Sequence, residues 1–284
     1  MQKKITIIGG AGQMGLLFKN YFSKLNHQVY TIDKNDWHDK SLHYLANCDL
    51  ALISVPIDST VSIIQKVATY INKKAILADL TSIKVAPLNA MLEYHSGPVI
   101  GLHPTFGPTI ASADHQVILE CTGRGDCSWL VATLKQIGFT IKLLSATEHD
   151  LVMTFIQGIE HFTTFVLGTF LTKLKIHPND LFSYASPIYQ SKLTLLGRIF
   201  NQDANLYANI ICSDENRKQL IAEFSGYLSG WAKIIAADAD AKSLFIAEFN
   251  NAKQWMGEFT KYSQDLSDKY LNSVVDSFNT IKNN

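Results

Sequence analysis

The first half of the chain alternates two kinds of apolar pattern. Short runs rich in β-branched residues ("KITIIG", "QVYTID", "LALISV", "AILADL", "PVIGL", "QVILEC" and "TIKLL") read as strands. Between several of them lie amphipathic stretches such as "MGLLFKNYFSKL" and "STVSIIQKVATYI", which read as helices. Strands and helices in alternation predict an α/β fold with a doubly wound, mostly parallel sheet. Around Thr147 the pattern changes. "TEHD" offers a threonine N-cap with an acid three residues on, and helical periodicity then runs almost uninterrupted toward Asn284. The expected organisation is therefore an α/β domain over residues 1–150 and an all-helical domain over 151–284.

The turn after the first strand carries chemistry. "ITIIGGAGQMG" places Gly10, Gly12 and Gly15 in the spacing G-x-G-x-x-G, with Gln13 and Met14 between the last two at the mouth of a helix. In a Rossmann-type fold the first glycine makes the tight turn, the second admits a pyrophosphate and the third lets helix and strand pack closely. The helix N-terminus adds amide donors and a partial positive charge. Asp33 ends the second strand, 18 residues beyond Gly15, where an acid accepts from a ribose 2′-hydroxyl and repels a 2′-phosphate. The pattern predicts a dinucleotide site selective for NAD, with Lys34 slightly weakening the preference. Ser54 and Pro56, after the third strand, are expected beside the same cofactor.

Ligands of a doubly wound sheet bind beyond the carboxyl ends of its strands. The segments "DLTSIK", holding Ser82 and Lys84, and "GLHPTFGP", holding His103, fall at such ends. An imidazole with a pKa near ~6.5 can accept an alcohol's proton while hydride leaves the carbon. His103 is thus the candidate base, and Ser82 is placed to hold either the imidazole or a substrate hydroxyl. In the helical half Arg198 sits in the apolar context "LTLLGRIF", whereas Arg124 and Arg217 lie among polar residues that suggest solvation. Two roles fit Arg198: bidentate capture of a substrate carboxylate, or a structural pair with a buried acid. Gln157 and His161 are four apart on the first long helix and share a face, either as a stripe toward a cleft or as hydrogen-bonders between helices.

Composition narrows the partner. Lys plus Arg and Asp plus Glu number 25 each, so the charge gives no sign of nucleic-acid binding. The four cysteines form no C-x-x-C pair and the nine histidines no short metal spacing, so neither disulfides nor a metal is expected. The glycines of the N-terminus argue against a signal peptide, and no uninterrupted apolar run approaches the ~20 residues of a membrane span. A cytoplasmic protein acting on a small molecule is expected.

Taken together, "GGAGQMG", "ADLTSIK", "GLHPTFGP", "ATEHD", "SPIY" and "GRIFNQDANLYA" make the chain similar to the prephenate dehydrogenase family. Within it, the chain resembles the dehydrogenase portion of the fused chorismate mutase–prephenate dehydrogenases over nearly its whole length. The resemblance implies oxidative decarboxylation of prephenate to 4-hydroxyphenylpyruvate with NAD, on the route to tyrosine. It implies that His103 binds the ring hydroxyl and that Ser82 and Lys84 are the motif serine and lysine, with Lys84 expected to bind substrate. It makes Arg198 the carboxylate-binding arginine and His161 the cleft-facing helical histidine. It further implies a homodimer built through the helical domain, and tyrosine as an effector. The chain departs from the pattern at Gln190 and Glu160, where the fused relatives have arginine; no mutase activity is expected of it.

Two other readings stay open at this stage. An arogenate or dual cyclohexadienyl dehydrogenase would bind a substrate bearing an ammonium, which an acid such as Glu160 could favour. A catalytically silent NAD-sensing regulatory protein would keep the fold but would need neither His103, Ser82 nor Arg198.

Overall fold

The computed structural model describes residues 1–212, 214–237 and 240–282. All seven expected strands form: β1 (Lys4–Ile8), β2 (Gln28–Ile32), β3 (Leu50–Ile53), β4 (Ile76–Asp79), β5 (Val99–Pro104), β6 (Val117–Arg124) and β7 (Thr140–Leu143). They make one sheet in the order β2-β1-β3-β4-β5-β6-β7. Every neighbouring pair is parallel except β5 and β6, which run antiparallel. Five helices complete this layer: α1 (Gln13–Lys24), α2 (Asp39–Ala46), α3 (Ile57–Ala68), α4 (Val85–Tyr94) and α5 (Ser128–Ile137). No helix separates β5 from β6, which is why that connection can reverse direction without a crossover.

The strand period of two sorts the core into two faces. Ile5, Ile7, Leu50, Leu52, Ile76, Ile100 and Leu102 point one way, onto Phe18 and Phe22 of α1 and Leu130 and Leu134 of α5. Ala51, Ile53, Leu77 and Val99 point the other way, onto Ile64 and Val67 of α3 and Met91 of α4. Because both faces are covered, β3 and β4 are buried throughout and read as unbroken apolar runs. The chain turns one way from β1 to β2 and the other way to β3. The switch point lies between β1 and β3, where the glycine turn and Ser54 sit.

The helical part begins with α6 (Ala146–Met153), whose N-cap differs from the expected one. Ser145 caps it: the Glu148 N–H donates to Ser145 Oγ at 3.1 Å, and the Ser145 N–H donates to Glu148 Oε2 at 2.9 Å. The capping box therefore starts two residues before Thr147, which releases Asp150 for another task. A π-helical turn, Thr154–Ile159, follows, then α7 (Glu160–Leu174), α8 (Pro178–Phe182), α9 (Pro187–Phe200) and α10 (Ala204–Ile211). The chain ends with α11 (Glu215–Ala237), α12 (Ala241–Met256) and α13 (Phe259–Lys282).

Two compact units result, Met1–Gln157 with Asn205–Ser213, and Gly158–Ala204 with Asp214–Asn284. The division falls at Gln157, seven residues beyond the boundary expected at 150, because α6 packs with the sheet unit. In the second unit α7 and α9 meet at Gly168, where an added Cβ would lie 2.2 Å from the Phe200 ring. Much apolar surface there stays uncovered: Tyr227, Leu228, Phe245, Phe249 and Trp255 are all exposed in the single chain. The continuous helical stretch Ala146–Leu174 is long and apolar enough to cross a membrane by length and composition alone. It nevertheless carries Asp150, Gln157, Glu160 and two histidines, groups that hydrocarbon would not leave unbalanced.

Candidate active site

The glycine turn is built to keep side chains out. Gly9, one residue ahead of the G-x-G-x-x-G pattern, has φ +81°, and a Cβ there would lie 2.2 Å from the Ser54 carbonyl oxygen. A Cβ on Gly10 would meet Thr31 Cγ2 at 2.2 Å, and one on Gly15 would meet the Gly9 carbonyl oxygen at 2.4 Å. These three positions bring β1, β2, β3 and α1 together. Gly12 is different. It is the N-cap of α1, with no side-chain cap and no acid in the first turn, so first-turn amides remain as donors for an anion. Asp33 lies at the adjoining end of β2, half-buried, with each carboxylate oxygen 3.1 Å from the Ala11 N–H that donates to it. Gln13 is exposed at the helix mouth, whereas Met14 packs its side chain against the core. Ser54 N–H donates to the Ile8 carbonyl at 2.8 Å, and Pro56 is the N-cap of α3, again without a side-chain cap. An uncapped helix start, a cradle too tight for any side chain and a carboxylate at the end of β2 fit a dinucleotide.

At the end of β5 the structure assembles a relay of three side chains. His103, buried and paired with Leu119 across β6, places Nδ1 2.8 Å from Nε2 of His149. His149, fully buried on α6, places its own Nδ1 2.7 Å from Asp150 Oδ1. Asp150 also caps α4, accepting from the Lys84 N–H at 2.7 Å and the Val85 N–H at 2.9 Å. Burial opposes ionisation of Asp150, but hydrogen bonds from His149 and the Val85 and Lys84 amides outweigh it and hold the carboxyl below its ordinary value.

The direction of the relay follows from donor and acceptor chemistry. A carboxylate can only accept, so His149 carries its proton on Nδ1 and presents a lone pair at Nε2. His103 must then donate from Nδ1, which leaves its Nε2 as the acceptor. Gln157 Nε2 lies 3.3 Å from that nitrogen and donates toward it. The arrangement holds the His103 imidazole in the tautomer whose Nε2 can take a proton from a hydroxyl that displaces the Gln157 amide.

Lys84 does not have the substrate-binding place expected of it. It is fully buried; its ammonium pairs with Asp79 and donates to the Leu102 carbonyl at 2.9 Å. Asp79 Oδ2 accepts in addition from the Thr81 N–H at 3.0 Å and from the Thr81 hydroxyl. Burying an ammonium requires such a pair, and here the pair anchors the carbonyl immediately before His103. Ser82 lies half-buried in the same turn.

In the helical unit the arginines exchange the places expected of them. Arg198, predicted to be enclosed by apolar residues, is exposed on α9, and Arg217, predicted to be solvated, is fully buried at the start of α11. The reason is helical phase: the apolar neighbours of Arg198 in sequence, Leu193 and Leu196, occupy the buried stripe that Arg198 misses. Arg124 is exposed but not merely solvated, since its guanidinium donates to the carbonyls of Leu92, His95 and Gly97 at the end of α4. Burial, and then the Arg217 charge, hold the His161 imidazole below the usual histidine value. Gln190 donates to the Phe182 carbonyl at 3.0 Å, and Glu160 is exposed.

Sequence reasoning missed Gly9, His149, Asp150 and Arg217. The signal for the relay was present in "TEHD", but a capping reading absorbed its acid. Cys48, Cys121 and Cys127 offer no competing nucleophile, because burial pushes their thiols up to about 12, about 11 and about 11.

Comparison with known proteins agrees with this geometry. Residues 23–122 match the prephenate dehydrogenase nucleotide-binding domain, and residues 145–267 match the prephenate dehydrogenase dimerization domain. The chain is 38% identical over 277 residues to the T-protein of Enterobacter agglomerans, covering 97% of this chain and 73% of that protein. It is 38% identical over 275 residues to the T-protein of Haemophilus influenzae, covering 96% and 72%. Its fold matches the crystal structure of prephenate dehydrogenase from A. aeolicus in complex with hydroxyphenyl propionate and NAD+, with a TM-score of 0.66 at 18% identity, over 90% of this chain and 99% of that one. With a dinucleotide cradle at the switch point, an oriented histidine at the end of β5 and these relatives along its length, the chain belongs to the prephenate dehydrogenase family of oxidoreductases.

Proposed function

We propose that the chain catalyses the NAD-dependent oxidative decarboxylation of prephenate to 4-hydroxyphenylpyruvate, a step of tyrosine biosynthesis. The observation that carries the reading is the Asp150–His149–His103 relay, which orients an imidazole acceptor next to the dinucleotide end of the sheet. NAD, when bound, supplies the hydride acceptor. Its holders in this chain are the turn Gly9–Gly15, with Gln13 and Met14, together with Asp33, Ser54 and Pro56.

His103 accepts the proton of the ring hydroxyl as the C–H bond at the same carbon breaks and the carbon becomes a ketone. Loss of the ring carboxylate as CO2 returns its electron pair to the ring, which becomes aromatic and pushes charge onto the oxygen. The protonated His103 then returns its proton to that phenolate, so the histidine ends the cycle neutral. Lys84 and Asp79 hold the backbone of the strand end, and Gln157 limits rotation of the imidazole. Ser82 holds the ring hydroxyl, while Arg198 and His161 bind substrate from the helical unit.

The reading extends to a cytoplasmic homodimer formed through the helical domain, which is what the exposed aromatic residues of α11 and α12 call for. Tyrosine, which shares the product's ring and carboxylate, is its proposed effector. NADH absorbance on mixing the protein with NAD and prephenate tests the activity. Formation of NADH with arogenate and none with prephenate would replace the substrate, and no turnover with either would leave a cofactor-binding protein.

A further inference from the structure

Gln157 stands against the reacting nitrogen of His103 with one of its two polar atoms unused. Its Nε2 donates toward His103 Nε2 at 3.3 Å, while its Oε1 is buried and accepts from no donor among the described residues. A buried amide oxygen without a donor is costly, and proteins seldom keep one without a reason. The residue lies in the π-helical turn Thr154–Ile159, a rare element that recurs at functional sites.

The relay dictates which way the amide points. Asp150 and His149 leave His103 Nε2 with a lone pair, so Gln157 can offer only its N–H there, and its oxygen is turned away. Protonation of His103 reverses the requirement. The ring then carries a hydrogen on both nitrogens: Nδ1–H keeps its bond to His149, and Nε2–H calls for an acceptor. A half-turn of the Gln157 amide exchanges nitrogen and oxygen, which are nearly equal in size, about a torsion that is broad and roughly two-fold. That half-turn brings Oε1 to Nε2–H and leaves the relay unmoved. The charged and titratable groups packed about the ring are themselves paired, His149 with Asp150 on α6, and Lys84 with Asp79 behind the Leu102 carbonyl. Across β6 the ring meets the apolar Leu119.

We propose that Gln157 is a second catalytic residue, which answers the charge state of His103. Its N–H steadies the neutral base, and its oxygen holds the proton on Nε2 once the ring hydroxyl has delivered it. The inference rests on the reading of His103 as the base of a prephenate dehydrogenase. The substrate hydroxyl displaces the amide from Nε2; its O–H bond breaks as the Nε2–H bond forms, while hydride leaves the same carbon. Until the ring becomes aromatic its oxygen is a ketone, a weak base, and the proton has to wait on Nε2. Gln157 Oε1 accepts from it during that interval. The phenolate then takes the proton back, and the amide returns to its first setting. Of the two bonds the amide makes, the one to the imidazolium is charge-assisted and the stronger, so Gln157 on balance favours the protonated ring.

The test is the titration of His103 in the NAD-free protein, followed by NMR of its ring, together with the pH profile of kcat on prephenate. Both are measured on wild type, Gln157→Glu and Gln157→Leu, with thermal melts and NAD binding to show that each variant folds. The carboxylate of Gln157→Glu favours the charged ring. His103 should then hold its proton to a pH higher by about one unit or more, and the acid limb of kcat should move up with it. Gln157→Leu removes the acceptor from a buried place, so the titration and the acid limb should both move down. Its kcat should fall about ten- to a hundredfold, less than the worth of the base itself. A residue that only packs would alter stability without moving either titration. Titrations that stay put in the folded variants, or kcat profiles that do not follow them, overturn the proposal and leave the enzyme reading intact. A wild type that oxidises no prephenate overturns that reading and this proposal with it.

Discussion

His103 Nδ1 and His149 Nε2 lie 2.8 Å apart, and because Asp150 occupies the far side of His149 the contact has a fixed polarity. His149 therefore acts as a spacer that carries the orienting effect of a carboxylate to the reacting imidazole. Replacing His149 by phenylalanine should leave the ring volume but remove the acceptor. We expect kcat to fall roughly ten- to a hundredfold, below the full worth of a positioned base, with KM for NAD unchanged. His149→Gln, which can still accept from His103, should recover part of the rate. Equal losses in both variants would reduce His149 to packing.

His103 itself carries the proton. His103→Ala is expected to lower kcat by about two to four orders of magnitude. NAD affinity should hardly change, since the phosphates are held at the glycine turn. The wild-type rate should fall in acid as the imidazole gains its second proton and can no longer accept. A variant with near-normal turnover would leave His103 a strand-end residue.

Asp150 links activity to stability. Its folded-state carboxyl is held below the ordinary value, so its contribution is present above the unfolded carboxyl's pKa, about 3.9, and is lost as pH falls through the lower folded value. Melting temperature measured from pH 7 down to pH 3 should therefore fall more steeply in wild type than in Asp150→Asn. At neutral pH the variant should be the less stable, having traded a charged cap of α4 for a neutral one. Parallel curves would mean that the carboxylate is unperturbed.

Asp33→Asn removes the charge that would meet a 2′-phosphate. The ratio of kcat/KM for NAD to that for NADP should drop by roughly tenfold or more. Because Asp33 also accepts from the Ala11 N–H, asparagine is a better test than alanine: its amide oxygen can keep that bond and hold the turn. An unaltered ratio would show that Asp33 only ties the turn together.

The middle of the sheet was legible because β3, β4 and β5 are buried throughout, and short unbroken apolar runs such as "LALI" are too short for a buried helix. The cradle was legible because backbone approach can be met only by glycine. What depends on long-range packing was not. Asp150 and Lys84 are 66 residues apart, and nothing local distinguishes an acid that caps its own helix from one that caps another. Arg217 follows "SDEN", a polar run that reads as surface, yet one side of that helix start is buried. Arg198 misled in the opposite sense, through apolar neighbours that belong to a different face of its helix.

That exposure changes what Arg198 can be. One of its two possible roles, neutralising a buried acid, required burial, and a guanidinium exposed on α9 does not meet the requirement. Truncation should accordingly leave the melting temperature within a degree or so of wild type, since exposed charges contribute little to stability. If Arg198 clamps a substrate carboxylate, Arg198→Ala should raise KM for prephenate by about ten- to a hundredfold and leave NAD binding unchanged, with Arg198→Lys intermediate because an ammonium lacks the two-pronged geometry. An Arg198→Ala enzyme with unaltered KM would remove the clamp from α9.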